Sequence, residues 1–266
     1  MSIATAFHAT RTGLQVQETL LSTKATNIAS QSVDGFKKRY CIVYDLPYQD
    51  QSGVGAGTSD TGTVSPTGVQ IGSGVSVAAT YSVFTQGDRI QTDNPFDIMI
   101  EGDGFLEVLL PDGTTAYTRV GALQRDASGR LVMPKTGYAL APSITIPALA
   151  KRVNINPSGQ VSVELSGSNT ESVVGQIELA TFANPSGLRL IGDSMYVETA
   201  ASGTPTIGAP GTDLRGAIVQ GYREGSNVNA VEEITDLIKI EKVYEMLTKV
   251  LKTGDAMLEA INRIRT

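Results

Sequence analysis

Apolar positions recur every seven residues at both ends of the chain, and the middle follows a different rule. Near the start, Phe7, Leu14, Leu21 and Ile28 fall seven apart, and Ile3 extends the row. Ala6, Gly13 and Leu20 lie beside them. This period predicts a helix over about 2–28 with a narrow apolar seam. Polar Thr10, Gln17 and Lys24 fill what would be the second seam position, so the seam is weak. Asp34-Gly35 marks a turn beyond the helix.

The last segment, about 229–264, carries a broader stripe. Ile240, Leu247, Gly254 and Ile261 form one row. Val243, Val250, Met257 and Ile264 flank it on one side, and Leu237, Tyr244, Leu251 and Leu258 on the other. A stripe three rows wide suits a helix gripped by two or more neighbours, or an ordinary helix buried in its own domain. Asn229 and Glu232 have capping-box spacing. Acids in the first turns and Arg263 and Arg265 in the last suit the helix dipole. Glu245 with Lys249, and Glu259 with Arg263, are i,i+4 pairs. Gly254 costs about 1 kcal/mol against alanine; it permits close helix approach or marks a flexible point.

Between the helices the pattern is β. Residues 50–68, rich in Gly, Ser, Thr and Asp, predict a long loop or extended arm. Short apolar runs follow at Val75–Val77, Ile98–Ile100, Phe105–Leu110, Arg130–Met133, Ser143–Ile146, Val161–Val163, Val173–Phe182 and Met195–Val197. Turn pairs Asp103-Gly104, Asp112-Gly113, Ser128-Gly129 and Ser158-Gly159 punctuate them, as in hairpins of a barrel or sandwich. The expected fold class is α+β. A discontinuous coiled-coil helical domain (1–45 and 218–266) would carry an arm (46–70) and an inserted, mainly antiparallel β domain (71–217).

Composition narrows the function. The 266 residues have a formal net charge of −6, 28 Gly, one Cys and one His. Acidity without a basic block argues against a nucleic-acid partner. Cys41 alone excludes an internal disulfide and Cys-based zinc sites, and suits a half-buried small apolar residue. His8 lies in the helical pattern with no nucleophile motif, which favours a helix-surface or interface role over a catalytic base. Asp126–Gly129 lacks the ligand series of a calcium loop. Asp97, Glu101 and Asp103 could pose as a carboxylate cluster, but their strand–turn setting favours solvated edge residues. No catalytic, cofactor or metal motif appears, so no enzyme activity, cofactor or metal is expected. No signal peptide is expected, and no run approaches the ~20 apolar residues of a membrane span. The chain is therefore expected in the cytosol or to leave by a route that reads no cleaved signal.

The motifs Ala25–Lys37, with Asn27, Ile28, Gly35 and Phe36, resemble the N-terminal signature of flagellar rod and hook proteins. The stretch Glu224–Asn229, with Ser226, Asn227 and Asn229, followed by Glu233, Tyr244-Glu245 and Asp255–Leu258, is similar to the C-terminal signature. Ile100–Phe105, with Gly102, Gly104 and Phe105, and Leu110–Arg119 resemble the β-domain motifs, and Pro66–Gly72 the linking segment. The order spans nearly the whole chain. Within that family, the length and the Gly-rich stretch favour the distal rod.

The resemblance implies a structural subunit that self-assembles into a rigid helical tube, carries motor torque to the hook and encloses the export channel. Implied partners are further copies, proximal rod and hook proteins at the ends, the surrounding basal-body rings and the flagellar type III export machinery. The implied location is the basal body across the periplasm. Alone, each terminal helix is marginal, so folding coupled to assembly is expected. The assembly residues implied are Ile3, Phe7, Leu14, Leu21, Asn27 and Ile28 in the first helix. In the second they run along Leu237, Ile240, Val243, Tyr244, Leu247, Val250, Leu251, Met257, Leu258, Ile261 and Ile264. Leu247→Asp should leave the β domain folded and block polymerisation. Two alternatives stay open: a proximal rod subunit, and a secreted glycan-binding or glycan-processing β domain with oligomerisation helices.

Overall fold

The computed structural model describes residues 3–55, 62, 67–166 and 170–265, with the backbone alone at 3, 4, 261, 262, 264 and 265. The chain divides into two compact units. One comprises Met1–Ile28, Arg39–Tyr81 and Ala230–Thr266; the other comprises Ala29–Lys38 and Ser82–Asn229.

The first unit holds α1 (Ile3–Ala29), β1 (Arg39–Asp45), β2 (Tyr48–Ser52), β3 (Val69–Gly72), β4 (Val75–Ser82) and α2 (Ala230–Arg265). Threonines in α1 return their hydroxyls to the preceding turn: Thr10 donates to the Ala6 carbonyl at 2.8 Å and Thr23 to that of Thr19 at 2.8 Å. This satisfies the hydroxyls within the helix, a pattern that tends to bend it slightly. In α2, Glu259 pairs with Arg263 at 3.4 Å as its spacing predicts. Glu245 pairs instead with Lys242, three residues earlier, at 3.0 Å, and Lys249 adds only charge. β1 pairs with β4. β2 and β3 pair antiparallel, Tyr48 opposite Gly72 and Asp50 opposite Gln70. Within the stretch expected to be a long loop or extended arm over 50–68, the described residues Asp50 and Ser52 are strand-paired, to Gln70 and Val69. Its residues 56–61 and 63–66 lie outside the described residues.

The second unit holds β5 (Arg89–Gln91), β6 (Ile98–Glu101), β7 (Phe105–Leu109), β8 (Thr115–Thr118), β9 (Gln124–Arg125), β10 (Leu131–Val132), β11 (Ala139–Ala141) and β12 (Ala150–Ile155). It continues with β13 (Gln160–Leu165), β14 (Glu171–Gln176), β15 (Leu179–Thr181), β16 (Arg189–Gly192), β17 (Met195–Val197), β18 (Thr206–Gly208), β19 (Ala217–Gln220) and β20 (Tyr222–Glu224). Among the described residues, nine strands form one sheet in the order β16-β17-β8-β7-β11-β10-β9, with β15 joined to β7 and β18 to β15. The strands β12-β13-β14 form a second sheet, and β19-β6 and β20-β5 are two-stranded ribbons. Each of these ladders is antiparallel.

Alternation along β7 splits the core. Leu106 joins an aliphatic cluster with Ile98, Ile100, Leu140, Val161 and Leu179. Phe105, on the other face, joins Tyr117, Phe182 and Tyr196. Two expected strands come out differently. Ser143–Ile146 makes only a single bridge, Thr145 to Arg130, because its work is to bury Ile144 and Ile146. The run Val173–Phe182 breaks into β14 and β15, with fully buried Ile177 between them.

Candidate assembly surface

The two terminal helices meet in antiparallel sense through small residues. A side-chain carbon added at Gly13 would lie 3.2 Å from Leu247, and one added at Gly254 would lie 2.7 Å from the ring of Phe7. Each helix offers a glycine to the other's large side chain, so Gly254 serves close approach. Val16 is buried, and Phe7, Leu14 and Ile28 are half-buried. Leu21 is exposed.

The buried face of α1 also runs through polar positions. Lys24 donates to Glu233 at 3.3 Å and to Asp236 at 2.8 Å. Asn27, fully buried, donates to Glu233 at 3.0 Å and to the Arg39 carbonyl at 2.9 Å, and accepts from the Arg39 N–H at 2.9 Å. It ties the end of α1 to both β1 and α2. Burial alone would lower the Lys24 pKa, but hydrogen bonds and charge from Asp236 and Glu233 turn it upward. The Asp236 carboxyl is held below the usual range by hydrogen bonds from Lys24 and Lys239.

On α2, Glu233 and Ile240 are buried, and Leu237, Val243, Leu247, Leu251 and Gly254 are half-buried. Tyr244, Val250, Met257 and Leu258 are exposed, as are Ile234, Ile238 and Met246. The chain's own contacts thus cover the central row, Ile240, Leu247 and Gly254, and leave parts of both flanking rows open. The side chains of Ile3, Ile261 and Ile264 lie outside the described residues. Cys41 is half-buried beside Leu20 and Ile240, and burial pushes its thiol pKa up.

The other motif positions build a second node inside the β unit. Gly35 holds φ 64°, and a side chain there would strike Arg119 and Val120 backbone at 2.9 Å. The tight turn buries Phe36 and delivers Lys37 to Glu224 at 2.6 Å and to the Thr85 carbonyl at 2.8 Å. Glu224 also accepts from the Gly87 N–H at 2.9 Å and from Arg119 at 3.4 Å. Lys37, Glu224 and Arg119 are all essentially inaccessible. Burial and the neighbouring Arg119 lower the Lys37 pKa against the pull of Glu224. Asn227 accepts from the Lys38 N–H at 2.7 Å and donates to the Val83 carbonyl at 2.8 Å. Ser226 is buried, and Asn229 directly precedes α2. Gly104 holds φ 140° where its Cα faces Leu179. Gly102 holds φ 110°, and Phe105 anchors the aromatic cluster.

Sequence reasoning on apolar periodicity passed over Lys24, Lys37, Arg119 and the pairing role of Glu224 and Glu233. The available signal was a lysine at a seam position of one helix and an acidic first turn in the other. The three carboxylates that could pose as a cluster separate. Asp97 is buried between Asn94 and Arg223, so it is no solvated edge residue, while Glu101 pairs with Arg89. Asp126 closes a plain turn, accepting from the N–H groups of Ser128 and Arg130. Among the described residues, no group of three or more acidic, His or Cys side chains could hold a metal ion, and no helix is long and apolar enough to cross a membrane.

Residues 99–163 match the family described as flagellar hook protein FlgE/F/G D1 domain, and residues 219–264 the family described as flagellar basal body rod FlgEFG protein C-terminal. These matches place the β segment and the C-terminal helix each in a family of flagellar hook and rod proteins. The chain is 42% identical to the flagellar basal-body rod protein FlgG of Caulobacter vibrioides over 96% of its length and 97% of the relative's. It is 38% identical to FlgG of Agrobacterium fabrum over 95% and 96%. It is 30% identical to the rod protein FlgF of Escherichia coli over 87% and 86%. The chain belongs to the family of flagellar basal-body rod proteins.

Proposed function

We propose that this chain is a structural subunit of the distal rod, with no catalytic role. Copies assemble into a rigid helical tube that transmits motor torque to the hook and encloses the export channel. The observation that carries this reading is the uncovered stripe of α2, in a chain with FlgG relatives over nearly its full length. One partner helix is already present as α1, so the open rows are free to take helices of further copies. In this reading the termini, 1–45 and 218–266, form a coiled-coil inner layer, the arm 46–70 braces neighbours, and the β domain 71–217 sets the outer shape. The ends of the polymer meet proximal rod and hook proteins, the rings surround it, and subunits reach it through the flagellar type III machinery without a cleaved signal, across the periplasm.

Val250 and Met257 are exposed in the single chain, so charging them spares its own packing. Val250→Asp with Met257→Asp should leave the circular dichroism and melting of the purified chain unchanged while removing rods from basal bodies seen by electron microscopy. Full-length rods built from this variant would refute the assembly role of the stripe.

A further inference from the structure

The two most exposed large apolar side chains of the β unit, Leu214 at 96% and Leu149 at 71%, stand in different settings. Leu214 is held out deliberately. Asp213 and Leu214 both adopt left-handed backbone, φ 47° and 66°, which L-residues avoid. Buried Arg215 pins the loop from behind, bonding the Thr212 hydroxyl at 3.2 Å, Asp213 at 3.2 Å and the Ile207 carbonyl at 3.4 Å. The Gly216 N–H donates to the Asp103 carbonyl at 2.7 Å. The loop thereby fixes Leu214 beside a cavity of about 370 Å³. Phe84, Phe105 and Phe182 line it, with exposed Asp103 and Asp213 and the buried Arg119.

Leu149 occupies the turn before β12 and is followed by exposed Lys151 and Arg152. The far end of β12 is the one next to β19: the Ile155 N–H donates to Gln220 at 3.0 Å. A strand of this length spans about 20 Å, so Leu149 stands well away from that end. The unit thus carries an apolar knob with two cations at one place and an aromatic cavity with two carboxylates at another. Two different surfaces that fit each other repeat head to tail without closing, which makes an open filament.

We propose that Leu149 of one copy seats in the Phe84–Phe105–Phe182 cavity of the next, against Leu214. Lys151 and Arg152 then face Asp103 and Asp213. The assignment rests on the rod-subunit reading. Arg119 keeps cations off the cavity floor, so the leucine enters and the charges stay outside. A preformed, rigid Leu214 loop lowers the ordering cost of the contact.

The test uses the full chain carrying Leu149→Cys and Leu214→Cys in a Cys41→Ala background, replacing the wild type in its own bacterium. Isolated basal bodies are treated with a short bismaleimide. A ladder of covalent oligomers is expected, absent when Ile191→Cys replaces Leu214→Cys. Adding Lys151→Glu and Arg152→Glu should cut the ladder at least tenfold, and Asp103→Lys should restore part of it. Intact rods without a ladder would overturn the contact and leave the rod reading standing, as would cross-linking of Leu149→Cys to a different protein. Basal bodies of the unsubstituted strain that lack the chain altogether would overturn the rod reading and the contact with it.

Discussion

Glu224 and Glu233 lie nine residues apart and do parallel work in different units. Glu224 receives Lys37 and Arg119 inside the β unit, and Glu233 receives Lys24 and Asn27 inside the helical unit. In both, a residue from the start of the chain is fastened to one from its end. Their surroundings differ. The β node is sealed, with two cations sharing one carboxylate, and the Lys37 pKa is lowered by burial. The helical node borders solvent, Asp236 supplies a second carboxylate, and the Lys24 pKa rises. A sealed node has no alternative partners, whereas a node at an edge can exchange them. The β node is therefore the more sealed of the two, and the helical node gives its lysine a second, partly exposed carboxylate.

Breaking each node measures that difference. Glu224→Ala leaves two buried cations without a counter-charge and should cost roughly 3–5 kcal/mol, read as a collapse of hydrogen-exchange protection in β7 and β8. Glu233→Ala leaves Lys24 its bond to Asp236 and should cost roughly 1.5–3 kcal/mol, confined to the helices in the same exchange experiment. Equal losses at both sites would erase the contrast.

Glu107, unlike either node, is a buried carboxylate with one oxygen that has no hydrogen-bond partner. Burial, then the charge of Glu178, raises its pKa, and burial with Glu107 and Glu198 pushes Tyr117 to about 12. The folded chain therefore holds the Glu107 proton more tightly than the unfolded chain does. Its contribution is full below the ordinary value of 4.5 and is lost as pH climbs through the raised one. Glu107→Gln should add about 1 kcal/mol at pH 7 and flatten the pH dependence of the denaturation midpoint between 4.5 and the raised value. The smallest effect belongs to Gly254→Ala. Crowding of the Phe7 ring costs about 1–3 kcal/mol and better helix propensity returns about 1. Thermal melts should show a net loss near 1 kcal/mol, and Phe7→Leu should relieve it.

Much of this was legible because periodicity is a local signal. Both helices, the antiparallel β insertion and the turns at Asp112-Gly113 and Ser158-Gly159 follow from spacing and turn chemistry. The nodes were not, because a buried ion pair joins residues about 190 to 210 positions apart and leaves no period. Apolar spacing also pointed to Leu21, which is exposed, while the face that α1 buries runs through Thr10, Gly13, Val16, Lys24 and Asn27. Size complementarity and charge chose that face, and neither shows in a count of apolar residues. The Ser143–Ile146 run failed as a strand because hydrophobicity reports burial and is silent on pairing.

The reciprocal fit of the helices has one more consequence. Phe7 and Gly13 are six apart, and Leu247 and Gly254 seven apart, so the two helices match like a key with two notches. Sliding one helix by a heptad sets Phe7 on Leu247, where two bulky groups contest one gap. A mis-set pair therefore cannot close even though its apolar stripe looks correct. The two glycines thereby disfavour that slipped register of the pair.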